Sequence, residues 1–249
     1  LIVLKYNTIA SYTKILSAIF KPILDEHYSD FLLGRIKKPN QYGLSEIKNI
    51  HKHYDDSKLY YVAPFLSVNE EFVPSPIETF NTQMKGIKYT VLFPLVPYEE
   101  RIYSITHRES LSKFTPSEDI NDAMVNCVAH YYGVNKLEND GIKLHQNVDN
   151  ILMMHDFERI VELHNEGKLN LVILTKDTIL NDTGKIFEHL GLQHDSDLKE
   201  IISKVPRQGR EDKHSSKLFK ETMKQYNEAL EKRYQDINSI IEENGITVL

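Results

Sequence analysis

The sequence predicts an α/β fold with a mostly parallel central sheet, covered by helices on both faces and closed by a long C-terminal helix. Three observations carry that reading. Four short apolar segments, Leu1–Leu4, Lys58–Phe65, Lys88–Phe93 and Leu169–Leu174, punctuate the chain, and segments of helical spacing separate them. Their apolar runs are continuous rather than alternating, as in strands buried on both faces. Residues Ser215–Glu243 carry a seam of Phe219, Met223, Tyr226, Leu230, Tyr234, Ile237 and Ile241, stepping three and four residues at a time. Strands alternating with helices in this way argue for a parallel sheet in layers.

Element by element, the opening strand Leu1–Leu4 is broken by Tyr6-Asn7-Thr8. Ile9, Tyr12, Ile15, Leu16, Ile19 and Phe20 then recur at helical spacing. Pro22 is expected to kink or end that helix. Ser45 is placed to cap a second helix carrying Ile47 and Ile50. The second strand, Lys58–Phe65, is stopped by polar residues and the Pro74-Ser75-Pro76 loop; the third, Lys88–Phe93, by Pro94. Helices are expected over Tyr98–Leu111 and from Pro116-Ser117 through Cys127 to Tyr132, closed by Gly133. Val134–Met154 has no clear period and reads as loop with room for one short helix. Asp156 is placed to cap a helix to His164 that Gly167 ends, and Asp177–Leu190 reads as one helix stopped by Gly191.

Residues 1–249 read as a single domain, with neither repeat nor low-complexity segment. An apolar fraction of 41% supports a substantial core, and a formal charge of -6 argues against nucleic acid as a bulk partner. Any anion must therefore be held by a local basic cluster. Cys127 is the only cysteine, which rules out an internal disulfide and any cysteine-based metal site. No apolar stretch approaches the roughly 20 residues that span a bilayer. The chain opens on Leu1 rather than Met, which leaves upstream residues, a membrane anchor included, an open question.

The chemistry starts at the first turn. In parallel α/β sheets, ligands bind beyond the carboxyl ends of the strands. Lys5–Thr8 arrives there just before a helix, whose unpaired N–H groups and partial positive charge suit a phosphate or sulfate. Thr8, Ser11 and Thr13 add hydroxyls, and Lys5 and Lys14 add charge. The segment holds no G-x-x-x-x-G-K-[ST] and no glycine, so an ordinary nucleotide-triphosphate loop is not supported. Read without an anion, Thr8 is a helix cap and Ser11 a first-turn residue. On the helix after the third strand, Arg101, Ser104 and Arg108 lie at i, i+3 and i+7 and share a face. Two guanidinium forks and a hydroxyl there suit one phosphate; the alternative is a solvated face pairing with Glu100 and Glu109.

Four segments occur in a telling order: Pro97-Tyr98-Glu99-Glu100-Arg101-Ile102-Tyr103-Ser104, Val125–Gly133, Leu171–Asp177 and Ile186–Leu192. Together with the first turn, this order resembles the carbohydrate sulfotransferases that include the heparan and uronyl 2-O-sulfotransferases. The resemblance implies a P-loop-like three-layer sandwich. It implies sulfuryl transfer from 3′-phosphoadenosine 5′-phosphosulfate (PAPS) to the hydroxyl of a carbohydrate or glycan acceptor. By this resemblance Ala10-Ser11 stand in register with the family's P-K-T-[AG]-[GS]-T-[ST] motif for the 5′-phosphosulfate, with Thr8 and Thr13 as extra donors and Lys5 as the nearby lysine. Arg101 and Ser104 match the second half of R-D-P-x-x-R-x-x-S, which holds the 3′-phosphate; Leu95-Val96 stands where R-D would be. The basic loop Lys204–Arg210 resembles the R-x-G loop that closes over the 3′-phosphate, giving Arg207 and Gly209 that role.

Such a transfer needs an in-line nucleophile, a base for its proton and positive charge on the leaving bridge. Lys5 is placed for the leaving group. The family's base histidine has no counterpart in Tyr61-Val62-Ala63-Pro64, so the candidates are His130, nearest a motif, and His107, His51 and His53. His51 and His53 lie two apart on a helix and face different ways, so no metal pair is expected. Two alternatives stay open: a family member that has lost catalysis and binds a glycan or protein, and another phosphate-handling enzyme such as a nucleotide kinase. Oligomeric state and compartment, cytoplasmic or Golgi-lumenal, are left open by the sequence.

Overall fold

The computed structural model describes residues 1–5, 10–27, 52, 54, 59–62, 76–106, 148, 152, 154–193, 197–205 and 217–249. Within them five strands, β1 (Ile2–Lys5), β2 (Tyr60–Val62), β3 (Tyr89–Pro94), β4 (Leu169–Leu174) and β5 (Thr247–Val248), form one sheet in the order β2-β1-β3-β4-β5. Every pairing is parallel, with Val3 opposite both Tyr61 and Thr90, and Tyr89 opposite Leu169. Eight helices accompany them: α1 (Ala10–His27), α2 (Pro76–Gln83), α3 (Tyr98–Thr106), α4 (Met154–Asn165), α5 (Lys176–Asn181), α6 (Gly184–His189), α7 (Leu198–Lys204) and α8 (Lys217–Glu243).

The period-2 geometry of the strands divides the core in two. Ile2, Leu4, Val91, Phe93, Leu169, Leu171 and Ile173 point to one face, where they meet side chains of α2, α3, α4 and α8. Val3, Tyr61, Leu92, Val172 and Leu174 point to the other, against α1, α5, α6 and α7. This is the expected three-layer α/β sandwich, and the continuous apolar runs are explained by burial on both faces. The seam of α8 is equally faithful: Phe219, Tyr226, Leu230, Ile237 and Ile241 are all buried. Among the described residues no helix is long and apolar enough to cross a membrane.

Several elements differ from expectation. Pro22 does not end α1, which runs on to His27; the residues around it bury Ile19 and Phe20 completely, and that packing outweighs one lost hydrogen bond. Asp156 lies inside the first turn of α4 rather than capping it. The single helix expected over Asp177–Leu190 is two, because Asp182 leaves helical geometry at φ -136° and ψ 40° while Thr183 is buried at the break. Helices α2 and α7 and the edge strand β5 were not expected. The expected helix at Ser45, the helix from Pro116 to Tyr132 and most of Val134–Met154 lie outside the described residues.

Gly167 ends α4 with φ +70°, its N–H donating to the His164 carbonyl at 2.9 Å and that of Lys168 to Leu163 at 3.0 Å. This paired closure needs a left-handed residue at that position. A Cβ added to Gly167 would meet nothing within 4 Å, so Gly167→Ala tests the backbone alone. It is expected to cost about 1 kcal/mol, read as a lower urea midpoint with unchanged slope.

Candidate functional site

Strand order indicates the edge at which open α/β sheets bind ligands. From β1 the chain crosses to β2 on one side, with α1 on one face of the sheet. From β2 it returns past β1 to β3 and continues to β4, with α2, α3 and α4 on the opposite face. Right-handed crossovers force a change of face when the direction of travel reverses. The helices following β1 and β3 therefore lie on opposite faces, the arrangement that in open α/β sheets puts a ligand crevice at the carboxyl ends of the two strands.

The described side chains at this edge form a connected set. The Tyr12 hydroxyl, in the first turn of α1, donates to Glu100 Oε2 at 2.8 Å. Lys176, the first residue of α5 beyond β4, donates to Glu100 Oε1. Glu100 thus links helices that follow β1, β3 and β4, and its side chain is only 16% exposed against 38% for Lys176. Next to it on α3, Arg101 is 2% exposed. The backbone beneath is pinned: the Leu95 N–H donates to Leu174 O at 2.9 Å and the Thr175 N–H to Leu249 O at 2.8 Å. Thr175 caps α5, accepting from the Thr178 N–H at 3.2 Å, which fixes the direction in which Lys176 leaves the strand.

The opposite side of α3 is anchored on α8. The Tyr98 hydroxyl donates to Asn227 Oδ1 at 3.2 Å, the Tyr98 and Tyr234 rings lie 6.1 Å apart, and the Tyr103 and Phe219 rings 6.0 Å apart. With Ile102 fully buried, the helix is held along its core-facing side and cannot rotate without losing these contacts. That rigidity is what would give Glu100 and Arg101 fixed positions over the edge of the sheet.

Of the residues singled out in the sequence, Lys5 is the last residue of β1, opposite Leu92, and so stands at the carboxyl edge. Ala10, Ser11 and Thr13 occupy the first turn of α1, and Arg101 and Ser104 lie on α3. The fold brings these two helix starts to the same edge of the sheet from opposite faces. Thr8, His130, Arg207 and Gly209 lie outside the described residues, as do His51, His53, His107 and Arg108. Tyr61, on β2, stacks on Phe20 at 4.5 Å, and burial pushes its hydroxyl far above the ordinary tyrosine range. It keeps its proton at neutral pH and is no substitute base. Glu100, Lys176 and Tyr12 are the members of the site that sequence reasoning missed; the signal available was that Glu100 and Lys176 each fall within a few residues of a strand end.

The edge suits one phosphate-type anion. Lys176 reaches the start of an 18-residue helix through Glu100 and Tyr12, Arg101 lies in the first turn of α3 at the same sheet edge, and the terminus of the long helix favours negative charge. Glu100 opposes it, since an incoming anion must share Lys176 and Tyr12 with that carboxylate. No protein-family model matches the chain, and neither does any curated protein or solved structure.

Proposed function

We propose that this protein binds PAPS in the crevice beyond β1 and β3 and moves its sulfuryl group to a carbohydrate hydroxyl. The observation that carries the reading is the convergence at one sheet edge of the α1 start, buried Arg101 and Lys176. PAPS would supply the activated sulfuryl group; the chain's own part is to bind, orient and neutralise. Arg101, a rigid fork of donors, suits a phosphate bidentately. Lys5, at the end of β1, is assigned to the bridging oxygen that gains charge as the sulfuryl group leaves. Adenosine 3′,5′-bisphosphate is expected to bind with micromolar affinity by isothermal titration. A folded protein that shows no binding heat removes the proposal.

A second reading has its own observation. Glu100 already ties up Lys176 and Tyr12, as it would in a protein that keeps the fold and binds a glycan without transferring sulfate. Incubation with labelled PAPS and mixed polysaccharides separates the two, since any transfer of label to the glycan rules out the non-catalytic version.

A further inference from the structure

At the opposite, amino-terminal edge of the sheet lies a cavity of about 480 Å³ that the proposed sulfuryl transfer does not use. Its walls come from the turns that enter β3 and β4, and three lysines, Lys85, Lys88 and Lys168, line it. The register explains their meeting. Tyr89 pairs with Leu169, so the residues just before them, Lys88 and Lys168, are brought side by side on adjacent strands, at a spacing of about 4.8 Å between chains. Like charges placed so close are unfavourable by themselves. Lys168 has Glu166 at 2.5 Å, but among the described residues neither Lys85 nor Lys88 has an acidic partner, and no acidic residue lines the cavity. In a chain with 36 acidic and 30 basic residues, such a cluster departs from the overall sign.

We propose that this cavity is a binding site for a phosphate or sulfate monoester of a sugar-sized molecule. The volume falls in the range of small-molecule sites rather than that of a bare ion. The three ammonium groups supply the charge for the ester. Buried Met84 and half-buried Ile87 give the ligand body an apolar floor, and Asn81 and Thr82 offer polar partners for its hydroxyls. The backbone amides of Ile87, Gly167 and Lys168 are already spent on turn hydrogen bonds, so recognition of the anion falls to the lysines.

The site stands apart from the carboxyl-edge crevice, and its test is independent of any nucleotide. Isothermal titration of the full chain with glucose 6-sulfate, glucose 6-phosphate and inorganic phosphate is expected to show at least one sugar ester binding tenfold or more tightly than inorganic phosphate. Which ester wins distinguishes the two sources of the anion. Lys88→Glu and the triple change of Lys85, Lys88 and Lys168 to Ala should each weaken that binding at least tenfold. All three side chains are exposed, so the variants are expected to fold, with unchanged circular dichroism as the check. The proposal is overturned if the unaltered protein binds neither ester, if inorganic phosphate binds as well as both, or if Lys88→Glu binds undiminished.

Discussion

Arg101→Ala is expected to weaken adenosine 3′,5′-bisphosphate binding about a hundredfold, while the neighbouring Glu100→Gln strengthens it about tenfold. The opposite signs follow from the charges that α3 carries over the carboxyl edge. A guanidinium hydrogen-bonded to phosphate contributes roughly 1.5–3 kcal/mol per charged hydrogen bond, so losing a bidentate contact reaches two orders of magnitude in affinity. Arg101→Lys should recover only part of the loss, because a point charge cannot reproduce the fork. Glu100→Gln keeps the size of the side chain and an oxygen for the Tyr12 hydroxyl, but it removes the negative charge that competes for Lys176. With one charge in such partly solvated surroundings interacting at about 1–3 kcal/mol over several ångströms, a tenfold gain is a conservative expectation. Thermal melts of both variants separate binding from folding, since Arg101 is buried and its removal also lowers stability. Unchanged affinity in both folded variants would place the ligand elsewhere and end the assignment of this crevice.

Much of the fold was legible because burial on two faces leaves a plain mark on short strands. Val91-Leu92-Phe93 and Leu171-Val172-Ile173 alternate between the two cores, yet both directions are apolar, so the run is unbroken. The seam of α8 was legible for the converse reason: one stripe is buried and the rest is charged. Helix α2 was hidden although Ile77, Phe80 and Met84 keep helical spacing, because the preceding prolines read as loop. Strand β5 was hidden because its two residues, Thr247 and Val248, are too few to show a strand's period. The break between α5 and α6 turns on a local departure at Asp182 that composition does not announce.

The site was legible only in part, and for a topological reason. That the turn after β1 and the helix after β3 hold polar and basic residues is visible in the chain. Glu100 and Lys176 are 76 residues apart, and their contact exists because β4 lies next to β3. Neither periodicity nor propensity encodes strand order, so a pair made by that order stays silent until the sheet is assembled. The lysines before β3 and β4 meet for the same reason, through the pairing of Tyr89 with Leu169.

Phe157→Ala is expected to lower unfolding free energy by about 3–5 kcal/mol, the cost of truncating a fully buried phenylalanine. Phe157 is 0% exposed on α4, and its ring lies 5.2 Å from that of Phe93 on β3 at 56°. Truncation removes both buried area and this tilted ring contact, and the surrounding strands cannot close the gap without disturbing Val91 and Ile173 on the same face. Domains of this kind hold about 5–15 kcal/mol in total, so one side chain accounts for a large share. Phe157→Leu, which fills most of the volume, should cost no more than about 1.5 kcal/mol. Urea unfolding with the slope held constant measures both. Because α3 is anchored on α8 rather than on Phe157, nucleotide affinity of the fraction still folded should match the parent protein. A loss below 1 kcal/mol for Phe157→Ala would mean that α4 is not seated on β3, and the helical layer on that face of the sheet would then lose one of its members.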